Sequence, residues 1–442
     1  MQSVWQDSIE RKEFKELMGN IKTDVLIIGG GMVGLLIAYK LKRAGVDCTL
    51  LESGRICNGV TGNTTAKLTY QHGLIFENLI KRLGNERAAL YLKAHSDALS
   101  EYKALCEEIP CDYEIKDSFV YSRSEREKIE KEIDAINSLG GKAEFSYAEK
   151  LPFRVVGAVK VSGQAEFNPL KFAFSVAKDL PIYENTKVKE ITDGKVITEN
   201  SEISCKKIIV ATHFPFINKH GSYFLKMYQH RSYVIALQGA EDVKGMYVDE
   251  NEKGFSFRNY GDLLLLGGGA HRTGKRGGSF WELENFRKKY YPQAKTVKSW
   301  AAQDCMTLDK MAYIGNYSKR TPNLYVATGF NKWGMSSSML SAMILTDLIC
   351  GKKNDYAELF SPSRSILHPQ LFVNAFESLK GLLTPTAPRC PHLGCALKYN
   401  SAEHSWDCSC HGSRFSESGE LLDNPATDGK KNMPDVKKKR AL

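Results

Sequence analysis

Long apolar runs are missing from this chain of 442 residues. The longest ones, residues 263–266 and the mixed run 339–350, fall well short of the roughly 18 residues that a membrane-spanning helix needs. The opening segment, MQSVWQDSIERKEF, also lacks the apolar stretch of a secretory signal peptide. These two absences exclude a protein that spans a membrane and lead us to expect a soluble protein of the cytoplasm.

Acidic residues are fewer than basic ones, 51 against 61, which gives a formal net charge of +10. Half of this excess lies in a basic tail, residues 430–442, where six basic residues accompany one acid. Such a tail can bind nucleic acid or anionic lipid. A solvated end accounts for the same composition, and the rest of the chain is only mildly basic, so we do not expect a nucleic-acid partner.

The cysteines do not fit a disulfide scaffold, because their number, 11, is odd and no secretion signal accompanies them. Seven are scattered between Cys48 and Cys350. The other four fall within 21 residues near the C-terminus, and this clustering requires a chemical explanation. No Ser–His–Asp set and no pair of carboxylates stands out elsewhere in the sequence.

Residues 21–51 have the pattern of a βαβ unit. The apolar run 25–28 fits a strand that is buried on both faces. Residues 32–44 carry apolar side chains at helical spacing, with basic residues near the end, where cations suit the helix dipole. Gly45 then ends the helix, and residues 48–51 are predicted to form a second buried strand.

Three glycines, Gly29, Gly31 and Gly34, form a G-x-G-x-x-G turn between the first strand and the helix. The first permits the tight turn, the second lets the backbone approach a pyrophosphate, and the third allows close packing of helix on strand. Glu52 ends the second strand, where its carboxylate can accept both hydroxyls of a ribose. The unit therefore predicts a dinucleotide site, but alone it does not distinguish FAD from NAD.

Other segments distinguish the two cofactors through resemblance. They are GVTGNTTAKLT (59–69), IIVATHFPF (208–216), WAAQDCMTLDKMAYIG (300–315) and NLYVATGFNKWGMSSSMLSA (323–342). Together with the βαβ unit they resemble, over about residues 20–350, the FAD-dependent oxidoreductases of the D-amino-acid oxidase and glycine oxidase family. The resemblance implies bound FAD and a Rossmann-like FAD-binding domain of the GR2 type.

The same resemblance implies where the cofactor lies. Thr64 and Thr65 would lie near the pyrophosphate or the flavin, and Val188 would lie beside the adenine. The loop that begins at Gly329 and the helix that opens at Gly334 would lie at the flavin ring. The positive end of that helix would stabilise negative charge on the reduced flavin.

Two boxes near the C-terminus, CPHLGC (390–395) and CSCHGS (408–413), carry the most specific signal in the chain. They contain C-x-H, then fifteen residues, then C-x-x-H. Two thiolates and two imidazoles suit either zinc or a Rieske 2Fe–2S cluster. Zinc fingers usually pair two cysteines in one box and two histidines in the other. Here each box has one of each, which favours the cluster over zinc.

The boxes closely resemble the Rieske signature, and that resemblance implies a role for each residue. Four residues would ligate the irons, the cysteines on one and the histidines on the other: Cys390, Cys408, His392 and His411. Cys395 and Cys410 would form the disulfide that joins the two cluster loops. Residues 424–426 resemble the proline loop that covers the cluster in that family.

The C-terminal module departs from the Rieske family in two ways. Ser409 stands where the second box commonly has a proline. Only a linker, rather than several strands, precedes Cys390. We therefore expect a shortened module that depends on the flavin domain or on a partner for part of its packing.

The predicted fold class is α/β: an FAD-binding domain interleaved with an α+β substrate domain, followed by a small all-β Rieske module. The expected parts are a lead-in segment (1–20), an oxidoreductase (21–360), a linker (361–384), the Rieske module (385–429) and the basic tail (430–442). Within the oxidoreductase, the FAD-binding lobe is expected at about 21–80, 155–215 and 300–350, and the substrate lobe at about 81–154 and 216–299.

An arginine holds the substrate carboxylate in amino-acid oxidases of this fold. Three arginines are candidates for that role here: Arg231, Arg258 and Arg272. An ordinary salt bridge is the alternative for each.

The expected function is a flavin- and cluster-dependent oxidoreductase with a small-molecule substrate, such as an amine or an amino acid. A hydride would pass to FAD, and single electrons would then pass to the cluster and an external acceptor. Two alternatives stay open: a reductase in which electrons run from cluster to flavin, and a redox sensor without catalysis. The sequence does not identify the substrate, the acceptor or the oligomeric state.

Overall fold

The structure, a computed structural model, describes residues 2–192, 194–217, 220–275, 277–385 and 388–434. Its helices are α1 (Met32–Arg43), α2 (Phe76–Leu83), α3 (Asn85–Glu108), α4 (Arg126–Ser138), α5 (Pro169–Ala177), α6 (Tyr223–Lys226), α7 (Phe280–Tyr290), α8 (Gly334–Ile349) and α9 (Pro369–Leu383). A short 3₁₀ helix spans Val60–Asn63. None of the described helices is both long and apolar enough to cross a lipid bilayer.

The strands belong to three sheets. They are β1 (Ile21–Ile28), β2 (Cys48–Leu51), β3 (Lys67–Leu68), β4 (Glu114–Ser122), β5 (Glu144–Ser146), β6 (Gly157–Glu166), β7 (Ile182–Tyr183), β8 (Glu190–Thr192), β9 (Lys195–Ile197), β10 (Glu202–Val210), β11 (Met227–Gln238), β12 (Met246–Asp249), β13 (Ser256–Tyr260), β14 (Leu263–Arg272), β15 (Lys295–Thr307), β16 (Tyr313–Asn316), β17 (Leu324–Thr328), β18 (Leu397–Asn400), β19 (Ser405–Cys408), β20 (Arg414–Ser416) and β21 (Leu421–Asp423).

The first sheet has the order β16-β17-β10-β1-β2-β7, and β8 and β9 extend it beside β10. Strands β17, β10, β1, β2 and β7 run parallel. Strands β1 and β2 lie between neighbouring strands and have helices packed on the sheet, so both of their faces are buried. This explains their continuous apolar sequences, as predicted. Helix α1 packs against α5 and α8, and together these elements form the predicted Rossmann-like domain.

The second sheet has the order β15-β11-β14-β13-β12-β4-β6-β3, with β5 beside β6. Its neighbours pair antiparallel except for β12 and β4, which run parallel. Two of its long strands, β6 and β15, lie in stretches that the sequence analysis assigned largely to the FAD-binding lobe. Apolar strand patterns do not reveal which sheet a strand joins.

The N-terminal segment is part of the core rather than a simple lead-in. Val4 and Trp5 are buried, and the Trp5 indole donates a hydrogen bond to the Thr64 carbonyl at 2.7 Å. Further along, the backbone N–H of Leu17 donates to the hydroxyl of Thr186 at 3.0 Å. Isolated apolar residues in a polar stretch gave no periodic signal, so their burial could not be predicted.

The third sheet, β18-β19-β20-β21, is antiparallel and confirms the small all-β module. The segment before it is not a plain linker, because α9 occupies residues 369–383. Pro369 is the first residue of this helix, and the His368 ring accepts a hydrogen bond from the Gln370 N–H. Proline is favoured at a helix start because its missing N–H has no partner there anyway. The same proline had suggested a linker from sequence alone.

Candidate functional site

The turn between β1 and α1 accepts only glycine at two of its positions. Gly29 has a φ of +114°, and a Cβ there would lie 2.5 Å from the Ala211 carbonyl oxygen. A Cβ on Gly34 would overlap the carbonyl oxygen of Gly29. Gly31 precedes the helix as its N-cap residue and supplies no side-chain cap, and the N–H of Met32 donates to the Thr61 hydroxyl at 3.0 Å. The positive end of the helix dipole at this turn favours a phosphate.

The Glu52 carboxylate is held at the end of β2 by backbone donors. Its Oε2 accepts from the Gly30 N–H at 2.7 Å, and its Oε1 accepts from the Gly54 N–H at 2.9 Å. The Glu52 carbonyl accepts from the Thr186 N–H at 2.8 Å, and Val188, two residues further on, is buried. The structure therefore brings the predicted ribose and adenine positions together.

The loop with Thr64 and Thr65 is fixed by two buried side chains from distant parts of the chain. Trp5 donates to the Thr64 carbonyl. Arg258 donates from Nη1 to the carbonyls of Thr65 and Ala66, at 2.7 and 3.0 Å. Both threonines line a cavity in the described part of the chain.

Arg258, one of the candidate substrate anchors, contacts protein groups in the structure. It is 1% exposed, and its Nε lies 3.2 Å from Oε2 of the buried Glu166. Its guanidinium also stacks over the Trp5 ring. Because its N–H groups donate to protein groups, Arg258 holds the loop that contains Thr64 and Thr65 in place.

Replacing Arg258 by methionine should lower the free energy of unfolding by about 3–5 kcal/mol, because it leaves the Glu166 carboxylate buried without its cation. Chemical denaturation of the holoprotein measures this. The double variant Arg258→Met/Glu166→Leu should lose less free energy of unfolding than the single variant, because it leaves no unpaired charge buried. If the free energy of unfolding of Arg258→Met lay within about 1 kcal/mol of the wild-type value, Arg258 would not be the structural partner of Glu166.

The cavity has a volume of about 420 Å³ and lies between the second sheet and the loop before α8. Its lining includes His72 and Trp333, whose rings stack with centroids 4.9 Å apart. His72 also bonds the Tyr91 hydroxyl at 2.7 Å and the Ser336 hydroxyl at 2.9 Å. These contacts of His72 hold the loop that follows Gly329 against the core.

Charged groups of both signs line the same cavity. Burial lowers the pKa of Lys332 and raises that of Asp304, and each of the two charges opposes the shift of the other. Burial and the nearby Arg258 lower the pKa of Lys67 to about 7. At the rim, Lys310 and Glu252 form an ion pair of 3.0 Å. Among the described residues, this lining contains lysines but no arginine.

The two Cys–His boxes form loops with matching hydrogen bonds. The Cys390 carbonyl accepts from the Gly394 N–H, and the Cys408 carbonyl accepts from the Gly412 N–H, both at 2.9 Å. Gly394 and Gly412 have positive φ values of 78° and 89°. A hydrogen bond from the buried Cys408 thiol lowers the pKa of Cys390, so the two sulfurs face each other.

The two histidines of the boxes lie edge to face, with ring centroids 5.0 Å apart. Burial lowers the pKa of His392 to about 4 and that of His411 to about 3, which keeps both rings in the neutral form that binds metals. Nδ1 of His411 is buried and has no hydrogen-bond partner. Two thiols and two neutral imidazoles at facing loops fit the donor set of a Rieske cluster.

Cys395 and Cys410 form a disulfide between the two loops. Their sulfurs lie within 4.8 Å of the Cys408 sulfur, but disulfide sulfurs are not thiolate ligands. Helix α9 covers this bond, because a Cβ on Gly381 would lie 2.5 Å from the Cys410 sulfur.

Arg231 and Arg272, the other two candidate anchors, both contact the C-terminal module. Arg272 donates to the carbonyls of Ser409 and Cys410 at 3.1 and 3.2 Å. Arg231 forms a buried bidentate ion pair with Glu403. These partners lie more than a hundred residues away in the chain, so the sequence offered no sign of them.

Two buried glutamines, which the sequence analysis missed, join the second sheet to the cluster loop. Gln229 donates to the carbonyls of His411 and Asn424 at 2.8 and 2.9 Å. Gln303 donates to Gln229 Oε1 at 2.7 Å and to the Gly412 carbonyl at 2.8 Å. Both strands contain several other polar residues, so the sequence had no signal that singled out these two.

The neighbours of Gln303 on β15 face the other way. Ala302 and Asp304 line the cavity, since successive side chains of a strand point to opposite faces. Strand β11 likewise contributes Gln229 to the module and Ser232 to the cavity. The cavity and the cluster loops therefore lie back to back across a single layer of β-sheet.

Comparisons with known proteins agree with both halves of this structure. A family model described as FAD dependent oxidoreductase matches residues 24–348. A second one, described as Rieske [2Fe-2S] domain, matches residues 362–435. The glycine turn and the paired cysteine–histidine loops lie within these two ranges.

Similar proteins include a Rieske 2Fe-2S iron-sulfur protein of Bacillus subtilis, YhfW, which is 32% identical over 96% of each chain. The gamma-glutamylputrescine oxidoreductase of Escherichia coli is 24% identical over 80% of this chain and 89% of that protein. Among solved structures, glycine oxidase from Geobacillus kaustophilus superposes with a TM-score of 0.65 at 18% identity, covering 78% of this chain and 99% of its own. The chain therefore belongs to the family of FAD-dependent oxidoreductases that includes D-amino-acid oxidase, carries a C-terminal Rieske domain, and binds FAD and a 2Fe–2S cluster.

Proposed function

We propose that this enzyme is a dehydrogenase that oxidises a small amine or amino acid and passes the electrons, one at a time, to an external acceptor. When bound, FAD takes a hydride from the substrate, and the Rieske cluster carries single electrons. Over one turnover the substrate loses two electrons and two protons, and a one-electron acceptor is reduced twice.

The residues that hold the two groups follow from the loops described above. Glu52 would accept the ribose hydroxyls, Gly29, Gly31 and Gly34 would admit the pyrophosphate, and Val188 would contact the adenine. Four residues would ligate the cluster, the thiolates on one iron and the imidazoles on the other: Cys390, Cys408, His392 and His411.

The substrate class is supported by the charges in the cavity. A zwitterionic amine or amino acid needs partners of both signs, and the lining supplies Asp304 beside Lys332 and Glu252 beside Lys310. Lysines would take the place of the arginine that the sequence analysis expected. Two similar proteins are named for glycine and for gamma-glutamylputrescine, which supports the same class.

One observation carries the proposed coupling of the two sites. The strands β11 and β15 bind the cluster loop through Gln229 and Gln303 and line the cavity with their neighbouring residues. Electrons leaving the cavity side would therefore cross one β-sheet layer to reach His411. The cluster is then the outlet of the flavin, in the place of a direct reaction with oxygen.

Anaerobic mixing of the oxidised holoenzyme with a panel of amines and amino acids tests this proposal. A true substrate should bleach the flavin absorbance and then produce the EPR signal of a reduced Rieske centre. The same panel with the cluster reduced beforehand should bleach the flavin without a further change in that signal. If no compound bleaches the flavin, while a reduced cluster readily passes electrons to it, the reductase would be the better description.

A further inference from the structure

Helix α9 turns its small and polar residues toward the protein. Asn374 is 3% exposed and accepts from Arg272 Nη1 at 2.9 Å, and Glu377 forms an ion pair with Lys275. Gly381 packs against the disulfide, and its carbonyl accepts from the Ala396 N–H at 2.9 Å. The inner face of the helix thus contacts both the flavin domain and the Rieske module.

The outer face of α9 is apolar, the reverse of an ordinary surface helix. Four large side chains on it are mostly open to solvent: Phe372 (76% exposed), Phe376 (64%), Leu379 (54%) and Leu383 (72%). Val373 and Leu382 flank them and are 49% and 47% exposed. Contiguous apolar surface of this kind marks an interaction site in a folded protein.

The spacing of the four central residues, at intervals of four, three and four, points to a helical partner. It is the spacing of the a and d positions of a heptad repeat, which form a narrow seam against one other helix. The two phenylalanines and two leucines of this seam are the residue types that such a contact buries.

The exposed area matches that of an ordinary protein interface. Leu367 and Leu393 continue the patch at its two ends and are 85% and 41% exposed. With side chains of this size, the whole patch offers on the order of 800 Å², which is what each partner contributes to a standard-size interface.

We infer that this face joins two copies of the chain, with α9 of one packed against α9 of the other about a two-fold axis. A two-fold contact uses the same patch on both partners, so a self-complementary apolar seam meets its requirement without a second surface. The contact also covers Leu393, the residue after His392. The dimer would therefore shield this side of the cluster loops from solvent.

Sedimentation of the holoprotein over a range of micromolar concentrations tests the inference. The wild type should sediment at twice the chain mass of 49.5 kDa. The variant Phe376→Lys/Leu379→Lys should sediment as a monomer, with a dissociation constant raised about a hundredfold or more, because two central apolar contacts are replaced by like charges. Leu422→Lys is the matched control, since Leu422 is 50% exposed but lies on β21, away from α9.

FAD and iron contents should be unchanged in all these variants, because the substituted residues are exposed. A wild type that is monomeric throughout would overturn the inference, and so would a double variant that dimerises as tightly as the wild type. If a monomeric wild type instead floats with vesicles of anionic phospholipid, a membrane surface is the occupant and the dimer is wrong.

Discussion

Replacing His411 by alanine should remove the iron from the Rieske module while leaving the flavin in place. His411 is 3% exposed, and its Nδ1 has no protein partner, so the alanine variant loses a donor that the surrounding residues cannot replace. Iron should fall from about two atoms per chain to a small fraction of that, and the Rieske EPR signal should vanish. The FAD absorbance should persist, because the glycine turn and Glu52 belong to another sheet.

The matched control for this variant is His404→Ala. His404 lies in the same module, but its side chain is 65% exposed and faces Glu417 on the surface. This control should keep its iron and its EPR signal. A His411→Ala protein with full iron and an unchanged signal would show that the cluster lies elsewhere. Zinc in place of iron in an anaerobic preparation of the wild type would refute the cluster itself.

Replacing Glu52 by arginine should weaken FAD binding by a factor on the order of a hundred or more. The carboxylate accepts from the backbone N–H groups of Gly30 and Gly54, and it is the acceptor available to the ribose at the end of β2. Arginine cannot accept a hydrogen bond, and losing two or three charge-assisted bonds at roughly 1.5 kcal/mol each accounts for that factor. Equilibrium dialysis of the apoprotein with FAD measures it.

Glu52→Gln serves as the intermediate case, because the amide keeps one acceptor oxygen but loses the charge and the second acceptor oxygen. It should bind FAD more weakly than the wild type and more tightly than Glu52→Arg. The iron content should be the same in all three proteins. Wild-type FAD affinity in Glu52→Arg would mean that the dinucleotide lies elsewhere in the chain.

The sequence predicted the features that depend on a few neighbouring residues and accept few residue types, namely the glycine turn and the cysteine–histidine boxes. The glycine turn can be recognised because only glycine tolerates the backbone of Gly29 and the close approach at Gly34. The cysteine–histidine boxes can be recognised because cluster chemistry demands those ligands at short spacing. Each of these features lies within a few tens of residues, so neither needs knowledge of the tertiary contacts.

The roles of the arginines could not be predicted, because they depend on partners that are distant in sequence. Arg258 pairs with Glu166 and donates to the loop that contains Thr65, and Arg231 pairs with Glu403 of the Rieske module. An arginine in a strand pattern gives no sign of which carboxylate it meets. The same holds for α9, whose inward face is polar only because Arg272 and Lys275 meet it there.

The hydrogen-bonded pair of glutamines that joins the second sheet to the cluster loop could not be predicted from the sequence either. Gln229 and Gln303 are 74 residues apart, and they meet because β11 and β15 pair in the sheet. Their amides satisfy carbonyls of the cluster loop that would otherwise be buried without partners, which would cost about 1–3 kcal/mol each. Such a bridge fixes the module on the flavin domain and sets the separation of the two redox sites.

Photochemical reduction of the flavin in the oxidised holoprotein, with the absorbance and EPR signal of the cluster followed in time, tests most directly whether the two sites exchange electrons within one protein molecule. The back-to-back arrangement predicts that the cluster becomes reduced at a rate that does not change with protein concentration. A cluster that stays oxidised, or one whose reduction rate rises in proportion to protein concentration, would contradict intramolecular transfer across the sheet.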